Sequence, residues 1–188
     1  MNLFLGLIHH PIRNKVGEKV TTSVTNMDIH DISRSCRTFG VEKYYIVTPL
    51  KIQQELVGRI LGHWGEHKSL AYNPDRKDAL SIACLQDDID SAIQDIENIT
   101  GERPLLVVTG ANFKESNGDS ADLIKTHLVD KRPIFLIFGT GWGLHQDVLD
   151  RADYFLGPIF GNAEDGYNHL SVRSAVAIYL DRLTQELK

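Results

Sequence analysis

The chain is poor in sulfur, in basic excess and in long apolar runs. Its 188 residues hold two cysteines, Cys36 and Cys84, and two methionines. The cysteines lie far apart, and no Cys/His run has the short spacing of a zinc ligand set. Neither a disulfide framework nor a metal is expected, and this usage fits a reduced, cytoplasmic protein. No apolar run approaches the ~20 residues of a membrane-spanning helix, so no membrane partner is expected. The N-terminal MNLFLGLIHHPI carries no preceding positive charge and no small-residue cleavage site, so it reads as a first strand rather than a leader. Lys and Arg total 20 against 25 Asp and Glu, a net charge of -5. That balance argues against coating nucleic acid indiscriminately, and any RNA contact needs local positive charge. Also missing are an early Gly-x-Gly-x-x-Gly with a following acidic residue and the Lys-Ser/Thr of a P-loop. A nicotinamide dehydrogenase and a P-loop nucleotide site are therefore disfavoured.

The remainder is ordinary for a globular protein, at 42% hydrophobic and 24% charged residues. With no internal repeat or boundary, it reads as one domain over residues 1–188. Strands are expected at 2–8, 41–47, 80–85, 105–109, 134–138 and 154–156, with a short extended piece at 20–24. The polar, basic stretch 13–19 reads as a loop, and 69–73 is ambiguous. Asp28 as N-cap, Ile29, Ile32, Cys36 and Phe39 at helical spacing, and Gly40 as C-cap mark the first helix. Ile52, Leu56, Val57, Ile60 and Trp64 mark a second. Ile89, Ile93 and Ile96 mark a third, opened by acidic residues and stopped by Thr100-Gly101. A fourth spans 121–129. Val172, Val176, Tyr179, Leu183 and Leu187 mark the last. Strands alternating with helices give an α/β fold, a mostly parallel sheet with helices on both faces.

The stretch 134–177 organises the rest. An apolar run ends in Gly139-Thr140-Gly141-Trp142-Gly143. A second ends in Gly157-Pro158-Ile159-Phe160-Gly161, and Tyr167-Asn168-His169-Leu170-Ser171 then opens the last helix. Glycine-ended strands and a helix start bring bare backbone to one sheet edge, where a ligand can approach closely. Taken alone, such a glycine cluster is equally a tight strand-to-helix turn.

Together the three pieces resemble the SPOUT superfamily of RNA methyltransferases. FGTGWGL resembles the glycine-rich turn of the SpoU branch, LGPIFG its proline turn, and NHLSVRSA its Asn-x-Ser-Val segment. Where SpoU enzymes carry Asn two residues before Ser-Val, this chain has His169, and Asn168 stands one residue earlier. The whole chain looks like a small stand-alone bacterial SPOUT group of SAM-dependent RNA methyltransferases, some fused to a tRNA (guanine-N1)-methyltransferase. The resemblance implies a C-terminal trefoil knot, S-adenosylmethionine as cofactor without a metal, and a homodimer. It also implies an RNA substrate, by analogy tRNA. The cofactor would be held by Thr109, Gly110 and Ala111, by Phe138, Gly139, Thr140, Gly141 and Gly143, by Leu156, Gly157, Pro158 and Ile159, and by Asn168, His169, Leu170 and Ser171. The apolar stripe of the last helix is a candidate contact between copies, its own subunit being the simpler use.

The first helix also resembles the SpoU first motif, with Arg34 six residues before the Gly of Phe39-Gly40. His30, Arg34 and Arg37 share a helix face opposite Ile29, Ile32 and Cys36. Spacing alone allows a plain solvated charged face. The resemblance points to Arg34 as the group that orients substrate, its planar fork suiting phosphate. His30 and His169 are the two candidate proton acceptors. His9-His10 reads as a polar strand end, and His63 and His67 lack a third zinc ligand. Arg13, Lys15 and Lys19 form the best local phosphate patch. The alternative function is a non-catalytic module that binds cofactor or RNA and assists another modification enzyme.

Overall fold

The computed structural model describes residues 2–63 and 74–187. The chain runs β1 (Leu3–Ile8), β2 (Ile12–Arg13), β3 (Lys19–Val20), α1 (Asn26–Thr38), β4 (Lys43–Val47), α2 (Lys51–His63), α3 (Pro74–Leu80) and β5 (Ala83–Gln86). It continues through α4 (Ile89–Thr100), β6 (Leu105–Thr109), α5 (Ser120–Asp130), β7 (Ile134–Gly139), α6 (Gln146–Leu149), β8 (Tyr154–Leu156) and α7 (Val172–Gln185). One six-stranded sheet has the order β5-β4-β1-β7-β6-β8, and β2 and β3 make a small hairpin. Every pairing in the large sheet is parallel. All its strands therefore end at one edge, and the crossover helices run back from that edge.

The central strands are apolar throughout because both their faces are covered. Leu3, Leu5 and Leu7 of β1 join the core shared with α1, α2, α5 and α7. Phe4 and Ile8 join the opposite core, with Ile89, Ile93 and Ile96 of α4 and Val148 of α6. Helices thus lie on both faces, as expected. Among the described residues no helix is long and apolar enough to cross a membrane.

Several local expectations change. The expected loop holds at 14–18 but is flanked by a hairpin pairing Ile12 with Val20 and Arg13 with Lys19, and of the extended piece at 20–24 only Val20 lies in a strand. Asn14 folds the loop: its side-chain oxygen accepts the amides of Val16 and Glu18 at 3.0 and 2.9 Å. The expected strand at 80–85 is divided between the end of α3 and β5. Pro74 opens α3 where a missing N–H costs nothing, and Ala79 and Leu80 are buried by helix packing, not in a ladder. The N-cap of α1 is Thr25, whose hydroxyl accepts the Asp28 amide at 3.1 Å, and Asp28 lies buried in the first turn. Gly40 follows the cap residue Phe39 with φ 71. The short helix α6 was not expected. Trp64, His67 and the stretch 69–73 lie outside the described residues. In α7, Val176, Tyr179, Leu180 and Leu183 are buried in their own subunit, whereas Val172 is half-buried and Leu187, just past the helix, is exposed.

Candidate functional site

The glycine-rich turn after β7 is fixed by its own close contacts. A side chain at Gly139 would stand 2.7 Å from the Leu144 amide nitrogen. Gly141 and Gly143 adopt φ 57 and 99, a region that disfavours any other residue. The turn closes with the Gly143 amide donating to Thr140 O at 3.0 Å. The β2–β3 hairpin braces it: the Arg13 amide donates to Gly143 O at 3.0 Å and Arg13 Nε to Trp142 O at 2.8 Å. Thr140 Oγ1 donates to Ile8 O at 3.1 Å and shares a short hydrogen bond with Thr22. These glycines are therefore required by the fold itself, whatever ligand they serve.

The neighbouring strand ends follow from the order β7-β6-β8. Thr109 is buried and donates to Ile137 O at 3.0 Å. Gly110 lies under the Phe113 ring, which a Cβ would meet at 2.6 Å, and Ala111 is exposed. Leu156 is buried. The Gly157 amide donates to Gly118 O, and Gly157 O accepts the Tyr179 hydroxyl, both at 2.8 Å. Phe138 turns its ring into the core against Tyr179, centroids 5.9 Å apart, so only its backbone faces the edge. Pro158 and Ile159 are half-buried, and His169, Leu170 and Ser171 exposed.

Asn168 ties the last segment to this edge. Its Nδ2 donates to Ile159 O and its Oδ1 accepts the Gly161 amide, each at 2.9 Å. The amide group therefore shapes the loop. Ser171 caps α7, accepting the Ser174 amide at 3.2 Å. The His169 ring stands 5.5 Å from that of Tyr167.

The α1 face is less free than its spacing suggested, because α3 lies along it. Arg37 Nε pairs with Asp78 Oδ2 at 2.8 Å. His30 is half-buried and held below the usual histidine range. Partial burial is the main cause, and the charges of Arg76 and Arg34 add to it against Asp31. Arg34 is exposed and makes no ion pair among the described residues. It sits about 12 Å of helix rise beyond Asn26, so α1 reaches it away from the strand ends.

Two groups that sequence reading passed over connect these parts. Arg173, in the first turn of α7, donates to Asp28 Oδ1 at 2.8 Å and approaches Asp31 Oδ2 at 3.4 Å. Asp28 Oδ2 also accepts the Thr25 hydroxyl at 2.6 Å. A cation at a helix N-terminus opposes the dipole, which was the readable hint that Arg173 has carboxylate partners. His9 was read as a polar strand end but has no exposed surface. Its Nδ1 meets Thr22 Oγ1 at 3.1 Å, linking β1 to Thr140.

A family described as SAM-dependent RNA methyltransferase matches residues 2–185. The tRNA (guanine-N(1)-)-methyltransferase of Oleidesulfovibrio alaskensis is 43% identical over 182 residues, 97% of this chain and 42% of that protein. The chain thus spans less than half the length of that curated relative. Among solved structures, a probable methylase family protein from Haemophilus influenzae gives a TM-score of 0.64 at 18% identity, covering 98% of this chain and 66% of that one. The SpoU methyltransferase AviRb from Streptomyces viridochromogenes, in complex with AdoMet, gives 0.57 at 16% identity, covering 100% and 60%. At these identities the two structures show a shared fold.

Proposed function

The chain belongs to the family of SAM-dependent RNA methyltransferases, and from that premise we propose that it methylates tRNA at the carboxyl edge of its sheet. The observation that carries the reading is the convergence of β6, β7 and β8 on that edge, with Asn168 tying the segment before α7 to the turn after β8. The edge fits the cofactor: Leu170 is 47% exposed and Pro158 and Ile159 are half-buried, an apolar rest for adenine. Thr109 to Ala111, Phe138 to Gly141 with Gly143, and the segments 156–159 and 168–171 would hold it. Bound there, S-adenosylmethionine supplies a methyl group activated on a sulfonium.

The protein's own task is to position an RNA nucleophile in line and to take one proton. Arg34, carried away from its own subunit's strand ends, orients the RNA at the other subunit's site in the proposed homodimer through its guanidinium fork. His30 or His169 accepts the proton. The lowered affinity of His30 for protons keeps it neutral near pH 7, as an acceptor must be. The proposal includes a single methyltransferase domain, a C-terminal trefoil knot, a homodimer and a cytoplasmic location. The packing of α7 against both α1 and α5, far apart in sequence, is compatible with such a knot.

Purified protein incubated with labelled cofactor and total RNA tests the activity. Label is expected in tRNA. Tight cofactor binding without incorporation into any RNA would instead assign the chain to the binding-module class.

A further inference from the structure

Among the described residues, exposed aromatic rings are few, and they stand on loops at the carboxyl edge of the sheet. Among the described residues they are Trp142, Phe160 and Tyr167, exposed at 57%, 75% and 64%. All three stand on loops leaving β7 and β8 or entering α7. Trp142 is the most firmly held. It lies between two glycines in left-handed conformation, its carbonyl takes Arg13 Nε, and the next carbonyl takes the Arg13 amide. The backbone is fixed while the indole is open. On the same hairpin Lys19 pairs with Asp147. The terminal guanidinium nitrogens of Arg13 and the Lys15 ammonium have no hydrogen-bond partner among the described residues.

An exposed indole on the residue whose carbonyl takes Arg13 Nε, with the terminal guanidinium nitrogens unpartnered among the described residues, matches two parts of a single ligand, the π-face of a base and an adjoining phosphate. An apolar protein surface would cover the ring but leave the fork unpaired. Trp142 stands on the loop after β7, whereas Phe160 and Tyr167 share the loop between β8 and α7. We propose that Trp142 stacks an unpaired base of the RNA substrate and that Arg13 takes a phosphate of the same or the next nucleotide. This rests on the RNA methyltransferase reading. A base or ribose must leave its helical stack to meet a methyl donor in a protein edge, and a rigid aromatic shelf beside the glycine turn stabilises that state.

The test measures binding of bulk tRNA and of a single-stranded RNA oligomer to the full chain over a range of salt. Thermal melts, S-adenosylmethionine calorimetry and light scattering accompany it. Trp142→Leu should weaken RNA binding about 10-fold or more, as loss of one base–aromatic stack does, and Trp142→Tyr should keep most of it. Arg13→Gln should lower the salt slope by about one ion. In Trp142→Leu and Trp142→Tyr, cofactor affinity and molar mass should match wild type. Unchanged RNA affinity in Trp142→Leu overturns the proposal. So does an equal loss of cofactor affinity, which would make the indole part of the cofactor turn. A fall in molar mass would overturn it too, by placing the ring between copies. A wild-type chain that binds cofactor but neither RNA defeats the RNA methyltransferase reading itself, a failure distinct from the others.

Discussion

His9 closes β1 with no exposed surface, and burial pushes its imidazole down to about 4, against a smaller opposing pull from Asp28. Its Nε2 has no hydrogen-bond partner among the described residues, so the ring gains little from a charge. In the unfolded chain the same group takes its proton near 6.5. Folding is therefore favoured fully above that value and loses about 3 kcal/mol as pH falls from 6.5 to 4. Urea melts at pH 7 and 4.5 check this. The wild-type stability advantage over His9→Asn should shrink by about 2–3 kcal/mol at the lower pH. A constant difference would mean that the ring is solvated. Arg34 presents the opposite case, an exposed charge with no ion-pair partner among the described residues. Arg34→Ala should shift stability by no more than about 0.5 kcal/mol. Single-turnover methylation at saturating cofactor should slow by roughly 10-fold or more, with incomplete recovery in Arg34→Lys. A wild-type rate in Arg34→Ala would leave this residue as an ordinary charged face.

The first turns of α1 and α7 are joined by a nearly buried carboxylate. The Asp28 side chain is 8% exposed, Arg173 is 29% exposed, and their 2.8 Å contact spans 145 residues of sequence. Removing one partner strands the other in a low-dielectric place, whereas removing both does not. Asp28→Asn and Arg173→Gln should each destabilise by roughly 2–3 kcal/mol, reduced from a fully buried pair by the partial exposure of Arg173. The double variant should lose clearly less than the sum, as chemical melts of all four proteins will show. Additive losses would mean that the two side chains act independently. Because α7 follows directly on 168–171, the same clamp fixes the end of that candidate cofactor segment relative to His30 and Arg34 on α1.

For the molecule as a whole, the parallel sheet sends every strand end to one edge, and the site is assembled there from segments throughout the chain. The proposed homodimer needs a surface that the folded subunit has not already used. Most of the apolar stripe of α7 is spent inside the subunit, leaving exposed groups such as Met27 and Leu170, 59% and 47% accessible, at the edge. Light scattering at micromolar concentration should give twice the chain mass of 21.1 kDa. A monomer at the concentrations where methylation is measured would remove the dimer from the mechanism.

The elements whose causes are local were legible in the sequence. The strands at 105–109 and 154–156 are β-branched or aromatic runs bounded by turn residues, and both appear at those limits. The glycine turn and the Ser171 cap could likewise be read, because left-handed backbone and helix starts demand particular residue types. Only the tertiary structure divided 80–85 between α3 and β5, since a short apolar run suits a helix or a strand until its neighbours are known. It also decided that Asn168 braces a loop, that Arg37 is paired and that His9 is buried. Most of all, it brought Arg173 to Asp28. Each depends on contacts between residues distant along the chain, and the charge, burial and pairing of a side chain are properties of its surroundings.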